Sequence, residues 1–199
     1  MNSDDFKNAL LGNEAEEICQ QMMSRDTNWY FDESGEVAVE GGYSTFRSAV
    51  AKQLEIEAPQ TCLVGSSVYG FSLSPNAAKT FCVFHENSDL DLMIVSEPLF
   101  RAIWSELLEA YHRGYRWIIR RHADQIFRQF TLLINNGNYG TSLLRKRTKI
   151  LDGISKEVFL QTGSSRSIKY RIYETERAAM AYHSSGLAKI KRRLENDAK

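Results

Sequence analysis

The chain has 199 residues, 43% of them apolar and 25% charged, the values of an ordinary globular domain rather than a disordered or fibrous one. Its 25 Lys and Arg cancel its 25 Asp and Glu, but residues 1–100 carry 5 basic against 16 acidic side chains, and residues 101–199 carry 20 against 9. Three scattered cysteines, Cys19, Cys62 and Cys82, without a C-x-x-C pair exclude a zinc knuckle or a disulfide framework and predict reduced thiols in a cytoplasmic protein. No run reaches the ~18 apolar residues of a membrane span. The start, with Asp4 and Asp5, does not read as a secretion leader.

In chain order, Phe6, Leu10, Ile18 and Met22 predict a helix over residues 6–24. The acidic, glycine-punctuated stretch 32–42 allows one short edge strand through Val37 and Val39. Ser44 or Thr45 caps a helix that ends near Glu57, before Pro59. Residues 61–64 read as a buried strand, and 72–88 as a polar insertion holding a strand at 80–84. Residues 90–95 form a second buried strand. Helices follow over 99–111, 115–134 and 142–159. Residues 168–173 alternate Ile168, Tyr170 and Ile172 with Lys169 and Arg171, the pattern of a half-buried strand. A last helix covers 175–194. Strands mixed with helices, without a regular βαβ repeat, predict an α+β domain of layered type. A small mixed sheet is flanked by helices, and the C-terminal half is helical. Residues 1–58 form a helical segment packed on a core of residues 59–199, in one globular unit.

Chemistry concentrates between residues 63 and 95. The strand Leu63-Val64 runs into Gly65-Ser66-Ser67, and Ser88-Asp89-Leu90-Asp91 opens the next strand. Residues two apart on a strand share a face, so Asp89 and Asp91 present their carboxylates together. Adjacent carboxylates repel unless a cation lies between them, and Mg²⁺ or Mn²⁺ suits hard oxygen ligands shared with phosphates. A glycine-serine turn lets a phosphate approach backbone N–H groups and hydroxyls.

The order Gly65-Ser66-Ser67, spacer, Asp89-x-Asp91 and apolar strand resembles the DNA polymerase β-like nucleotidyltransferase superfamily. The resemblance implies a sheet of nucleotidyltransferase type. It also implies Gly65, Ser66 and Ser67 as triphosphate contacts, and Asp89 and Asp91 as catalytic residues and ligands of Mg²⁺ or Mn²⁺. The activity it implies is transfer of a nucleotidyl group from an NTP to a hydroxyl of RNA, protein or a small molecule, in a toxin or phage-defence setting. Lys169 and Arg171 add positive charge for the nucleotide if their strand lies beside the Asp pair. The third carboxylate of that family is missing from 168–173, which leaves Glu174 or Glu157 to complete the site, or a site of two carboxylates. A nucleotidyltransferase-like subunit that binds nucleotide or nucleic acid in a larger complex is the alternative.

Basic clusters at 113–128, 145–149 and 189–193 suit RNA or an acidic protein partner, and the opposed halves permit an oligomer or a hetero-complex. No membrane partner is expected. Arg116 with His122, and Arg177 with His183, share an Arg-x5-His spacing that resembles the RNase motif of HEPN-type helical nucleases. The aromatics of 104–130 read as helix packing.

Overall fold

The computed structural model describes residues 1–37, 39, 41–132 and 142–197. Among them, four strands form one mixed sheet in the order β1-β2-β4-β3. They are β1 (Thr61–Val64), β2 (Leu90–Val95), β3 (Phe130–Thr131) and β4 (Ile168–Tyr173). β1 is antiparallel to β2 and β3 to β4, while β2 and β4 run parallel. A parallel pair needs a long crossover. Helices supply it: α5 (Glu97–His112), α6 (Trp117–Phe127) and α7 (Ser142–Thr162).

Strand alternation divides the side chains between two cores. Leu90, Leu92 and Ile94 of β2, with Ile168, Tyr170 and Ile172 of β4, pack under α5, α7 and α3 (Gly42–Leu54). Met93, Cys62, Val64 and Tyr173 face the other way. There they meet α1 (Ser3–Gly12), α2 (Ala15–Met23) and the C-terminal α8 (Glu176–Asp197), against which α1 and α2 pack. Alternation places Asp91, Lys169 and Arg171 on this second face. The chain is thus an α+β protein with a small mixed sheet and a mainly helical C-terminal half. No described helix is long and apolar enough to cross a membrane.

Four elements differ from their sequence pattern. Residues 6–24 hold two helices, because Asn13 leaves the helical region at ψ 163° and Glu14 opens α2 with its own capping box. Val37 packs in the first core, but the described part of 32–42 forms no strand. A π-helical turn at Trp29–Glu33 precedes it, tied by Asp32, whose carboxylate accepts from the N–H groups of Asn28 (2.7 Å) and Tyr43 (3.3 Å). Residues 80–84 make only an isolated bridge, Phe71 with Val83, since Phe81 sits at φ 62°. The helix expected over 115–134 stops at Phe127, where Gln129 at φ 56° turns the chain into β3. Its last expected residues, Leu133 and Ile134, lie outside the described set, as do the side chains of Arg145 and Arg147.

β1 is an edge strand, and its outward Leu63 N–H donates to the buried Tyr43 hydroxyl at 3.0 Å. Tyr43→Phe keeps the ring and strands that donor. The expected loss is about 1–3 kcal/mol of unfolding free energy with an unchanged denaturant m-value, read from urea unfolding.

Candidate functional site

The site forms where β1 ends and β2 and β4 begin. Register sets Val64 opposite Asp91 and Asp91 opposite Lys169. Gly65 leaves β1 at φ 77° and ψ −142°, and a Cβ there would lie 3.1 Å from Oδ2 of Asp91. Only glycine both adopts that backbone and leaves room for the carboxylate. Ser66 opens the four-residue helix α4 (Ser66–Tyr69). Ser67 is wholly buried with its hydroxyl unpaired, and it does not line the cavity beside Gly65 and Ser66.

That cavity, about 420 Å³, lies between the sheet, the loop at Ser72–Pro75 and α8. Asp91 and Arg171 reach it from the sheet, Arg128 from the end of α6, and His183, Ser185 and Lys189 from α8. Small residues make the hollow: a Cβ at Gly186 in the middle of α8 would meet nothing within 4 Å. Arg171 and Arg128 rest against the same aromatic pair. Their guanidinium carbons lie 4.6 and 4.9 Å from the Tyr182 centroid and 5.8 and 5.4 Å from that of Phe130. Tyr182 and Phe130 meet edge to face at 5.1 Å.

Burial raises the carboxyl pKa of Asp91 above its ordinary value, although Arg171 and Lys169 pull it back; Asp89 adds to the rise. Lys169 forms an ion pair with Asp89, and that bond raises the lysine pKa. His183 is pushed down to about 3, first by burial and then by Arg171. Its imidazole is therefore neutral, and Nε2 shares a hydrogen bond of 3.2 Å with the Tyr173 hydroxyl.

The two carboxylates point into different hollows. Asp91 lines the α8-side cavity, while Asp89 lines a polar one of about 510 Å³ with Glu36, Glu86 and Arg166. The proposed third acids lie elsewhere. Glu174 pairs with Arg101 at 2.7 Å, five positions along β4 from Lys169 and so roughly 16 Å away. Glu157 is on α7, which packs on the opposite sheet face, and it accepts from Gln161 at 3.1 Å. No group of three His, Cys, Asp or Glu gathers among the described residues. With Asp89 held by an ammonium group, the two carboxylates in different hollows and no third acid beside them among the described residues, these side chains do not fit a resident Mg²⁺ or Mn²⁺.

Of the residues that the sequence groups as one site, the structure brings Gly65, Ser66, Asp91 and Arg171 to one cavity, turns Asp89 into the neighbouring one with Lys169 paired to it, and buries Ser67 away from both. Sequence reasoning missed Arg128, Tyr182 and His183 as one wall. Arg128 and His183 stood in basic helical stretches whose spacing does not reveal which residues turn inward. The RNase spacing gathers no site: Arg116 donates to the Tyr111 hydroxyl at 2.9 Å, whereas His122 is buried beside Gln125. Arg177 is exposed, and six residues along a helix put it on a different side from His183.

Asp91 and His183 give opposite pH signatures. Asp91 titrates higher folded than unfolded, so its contribution is full at low pH and is lost as pH rises from its ordinary 3.8 through the raised folded value. Asp91→Asn should therefore raise the thermal midpoint at pH 7, with the gain shrinking towards pH 4. His183 titrates lower folded, so its contribution is full above 6.5 and is lost as pH falls towards about 3. His183→Gln should flatten that acid loss in urea midpoints measured between pH 7 and pH 4. No family model, no curated protein and no solved structure matches the chain.

Proposed function

We propose that the chain is a nucleotidyltransferase-like protein that binds a nucleotide in the cavity between Gly65, Asp91 and α8 without performing metal-dependent transfer. The observation that carries this reading is the charge arrangement along β2 and β4. Lys169 stands on Asp89, and Arg171 faces Asp91 on the adjoining parallel strand. The carboxylates are thereby answered by protein cations, in the position where a nucleotidyl-transferring site would need metal and a third acid. The cavity keeps the other half of such a site: the glycine-serine turn and a cationic wall. Its volume of about 420 Å³ is that of a small-ligand pocket.

The second reading is transfer itself, with the metal arriving on the NTP and displacing Lys169. It is favoured by the placement of Gly65 at the flank of Asp91, whose Oδ2 would lie 3.1 Å from a Cβ there, so that turn and carboxylate adjoin as that chemistry requires.

One experiment separates the two. Binding of each NTP is measured by calorimetry with EDTA and with Mg²⁺, and label transfer to total RNA and to protein is followed in parallel. The binding reading expects affinity to persist in EDTA and to survive Asp89→Ala with Asp91→Ala, with no transfer. Arg171→Ala should weaken binding about tenfold or more, the value of a charge-assisted hydrogen bond. Label transfer that needs Mg²⁺ and disappears in the double Asp variant would overturn it in favour of the enzyme.

A further inference from the structure

Both arginines of the cavity are held by ring faces, and the physical consequence depends on what a ring does not do. A carboxylate partner neutralises a guanidinium and occupies its N–H fork. An aromatic face fixes the plane of the group while leaving the charge whole and the in-plane donors available. Arg171 leans on Tyr182 and Phe130 and engages the Tyr173 hydroxyl; its Nε is buried without a partner, and among the described residues no carboxylate forms an ion pair with it. Arg128, on the same two rings, has one outer partner, Asp124 at 3.3 Å, on the exposed side of α6. Lys189, two helical turns below Tyr182 on α8, adds a third cation to the same wall, which the neutral imidazole of His183 also lines.

Against three cations, Arg128, Arg171 and Lys189, the cavity sets one carboxylate, Asp91. The net field inside is positive, and the donors are forks. Planar paired donors match tetrahedral phosphate oxygens better than point charges do. The loop at Ser72–Pro75 lines one side and is fastened to α8 by Arg193, which donates to the Pro75 carbonyl at 3.2 Å and the Thr80 hydroxyl at 2.6 Å. The wall is thus built and braced.

We infer that Arg128 and Arg171, held on the faces of Tyr182 and Phe130 and joined by Lys189, clamp the oligophosphate chain of a nucleotide that binds without a divalent metal. The inference rests on the reading of this cavity as a nucleotide site and names the part of the ligand that it grips. In this arrangement the protein's own guanidinium groups neutralise the phosphates, as Lys169 neutralises Asp89 at the neighbouring position.

The test uses the full chain in EDTA, with inorganic tripolyphosphate and ATP as separate probes in calorimetry at two salt concentrations. Tripolyphosphate should bind, and its affinity should fall with salt. Arg171→Lys and Arg128→Lys keep the charge but lose the fork and the stacking, and each should weaken binding about tenfold or more. Tyr182→Leu removes the ring and should weaken it comparably. Gly186→Leu fills the hollow at a position with open space and should abolish binding of both probes while the thermal midpoint holds or rises. Arg120→Lys, on the exposed side of α6, should leave affinity unchanged and serves as the bulk-charge control. The clamp is overturned if tripolyphosphate does not bind in EDTA, or if Arg171→Lys and Arg128→Lys bind like the unaltered chain. The two ideas fail separately. ATP binding that ignores the arginines and Tyr182 sinks the clamp and spares the nucleotide site, whereas tripolyphosphate bound without ATP spares the clamp and sinks the nucleotide.

Discussion

The parallel pairing of β2 with β4 sets Asp91 opposite Lys169 and brings Arg171 one pleat further along the same face. A carboxylate in that position has lost much of its water, and the cost of its charge must be met from the neighbouring strand. Register alone decides who meets it. A slip of one residue would set Ile168 or Tyr170 on the polar face and drive Lys169 and Arg171 into the core under α5 and α7. The same register therefore fixes the larger hydrophobic core and the charge pattern of the cavity. Neither can be altered without the other.

From that pairing the rest of the site follows. The antiparallel β1 delivers Gly65 to the flank of Asp91, and the conformation of Gly65 lets the chain turn there without a side chain. β3 is only two residues long, yet it anchors Phe130 beside Tyr173 and so supplies a ring for both arginines. α8 packs on this face through Ala179, Ser184, Leu187 and Ile190, and its His183 and Gly186 border the cavity, where Gly186 leaves space that a bulkier residue would fill. A core packed throughout would be more stable, so the hollow is a local departure from packing at the point where charges converge.

The parts of this molecule that sequence shows most plainly are those set by short-range alternation. β1, β2 and β4 fall where their apolar periods place them, and the Asp-x-Asp and glycine-serine features sit at the strand ends as their spacing requires. What escaped the sequence depended on one backbone torsion or on one long-range partner. The positive φ of Gln129 ends α6 early and creates β3; the pattern Ile126-Phe127-Arg128-Gln129-Phe130 continues a helix plausibly and carries no glycine to mark the turn. The carboxylate of Asp32 organises the turn at Trp29–Glu33 through N–H groups up to 11 residues away, so Val37 packs without a strand. The meeting of Arg128 with Tyr182, 54 positions apart in the chain, left no local trace.

The oppositely charged halves of the chain now have a physical account within one molecule. Lys169 meets Asp89, Arg166 meets Glu36, and Lys191 reaches Glu14 at 3.9 Å; each of these pairs joins a base of the second half to an acid of the first. Ion pairs as exposed as Lys191 with Glu14 add little to stability. They do orient α8 and the loop before β4 against the acidic N-terminal half. Charge asymmetry along the sequence thus becomes complementarity across the fold, without a second copy of the chain. Arg171 and Arg128, on the Tyr182 and Phe130 rings, line the cavity beside Asp91, and Asp124 is the outer partner of Arg128. The oligophosphate proposed for this cavity would meet both guanidinium groups there.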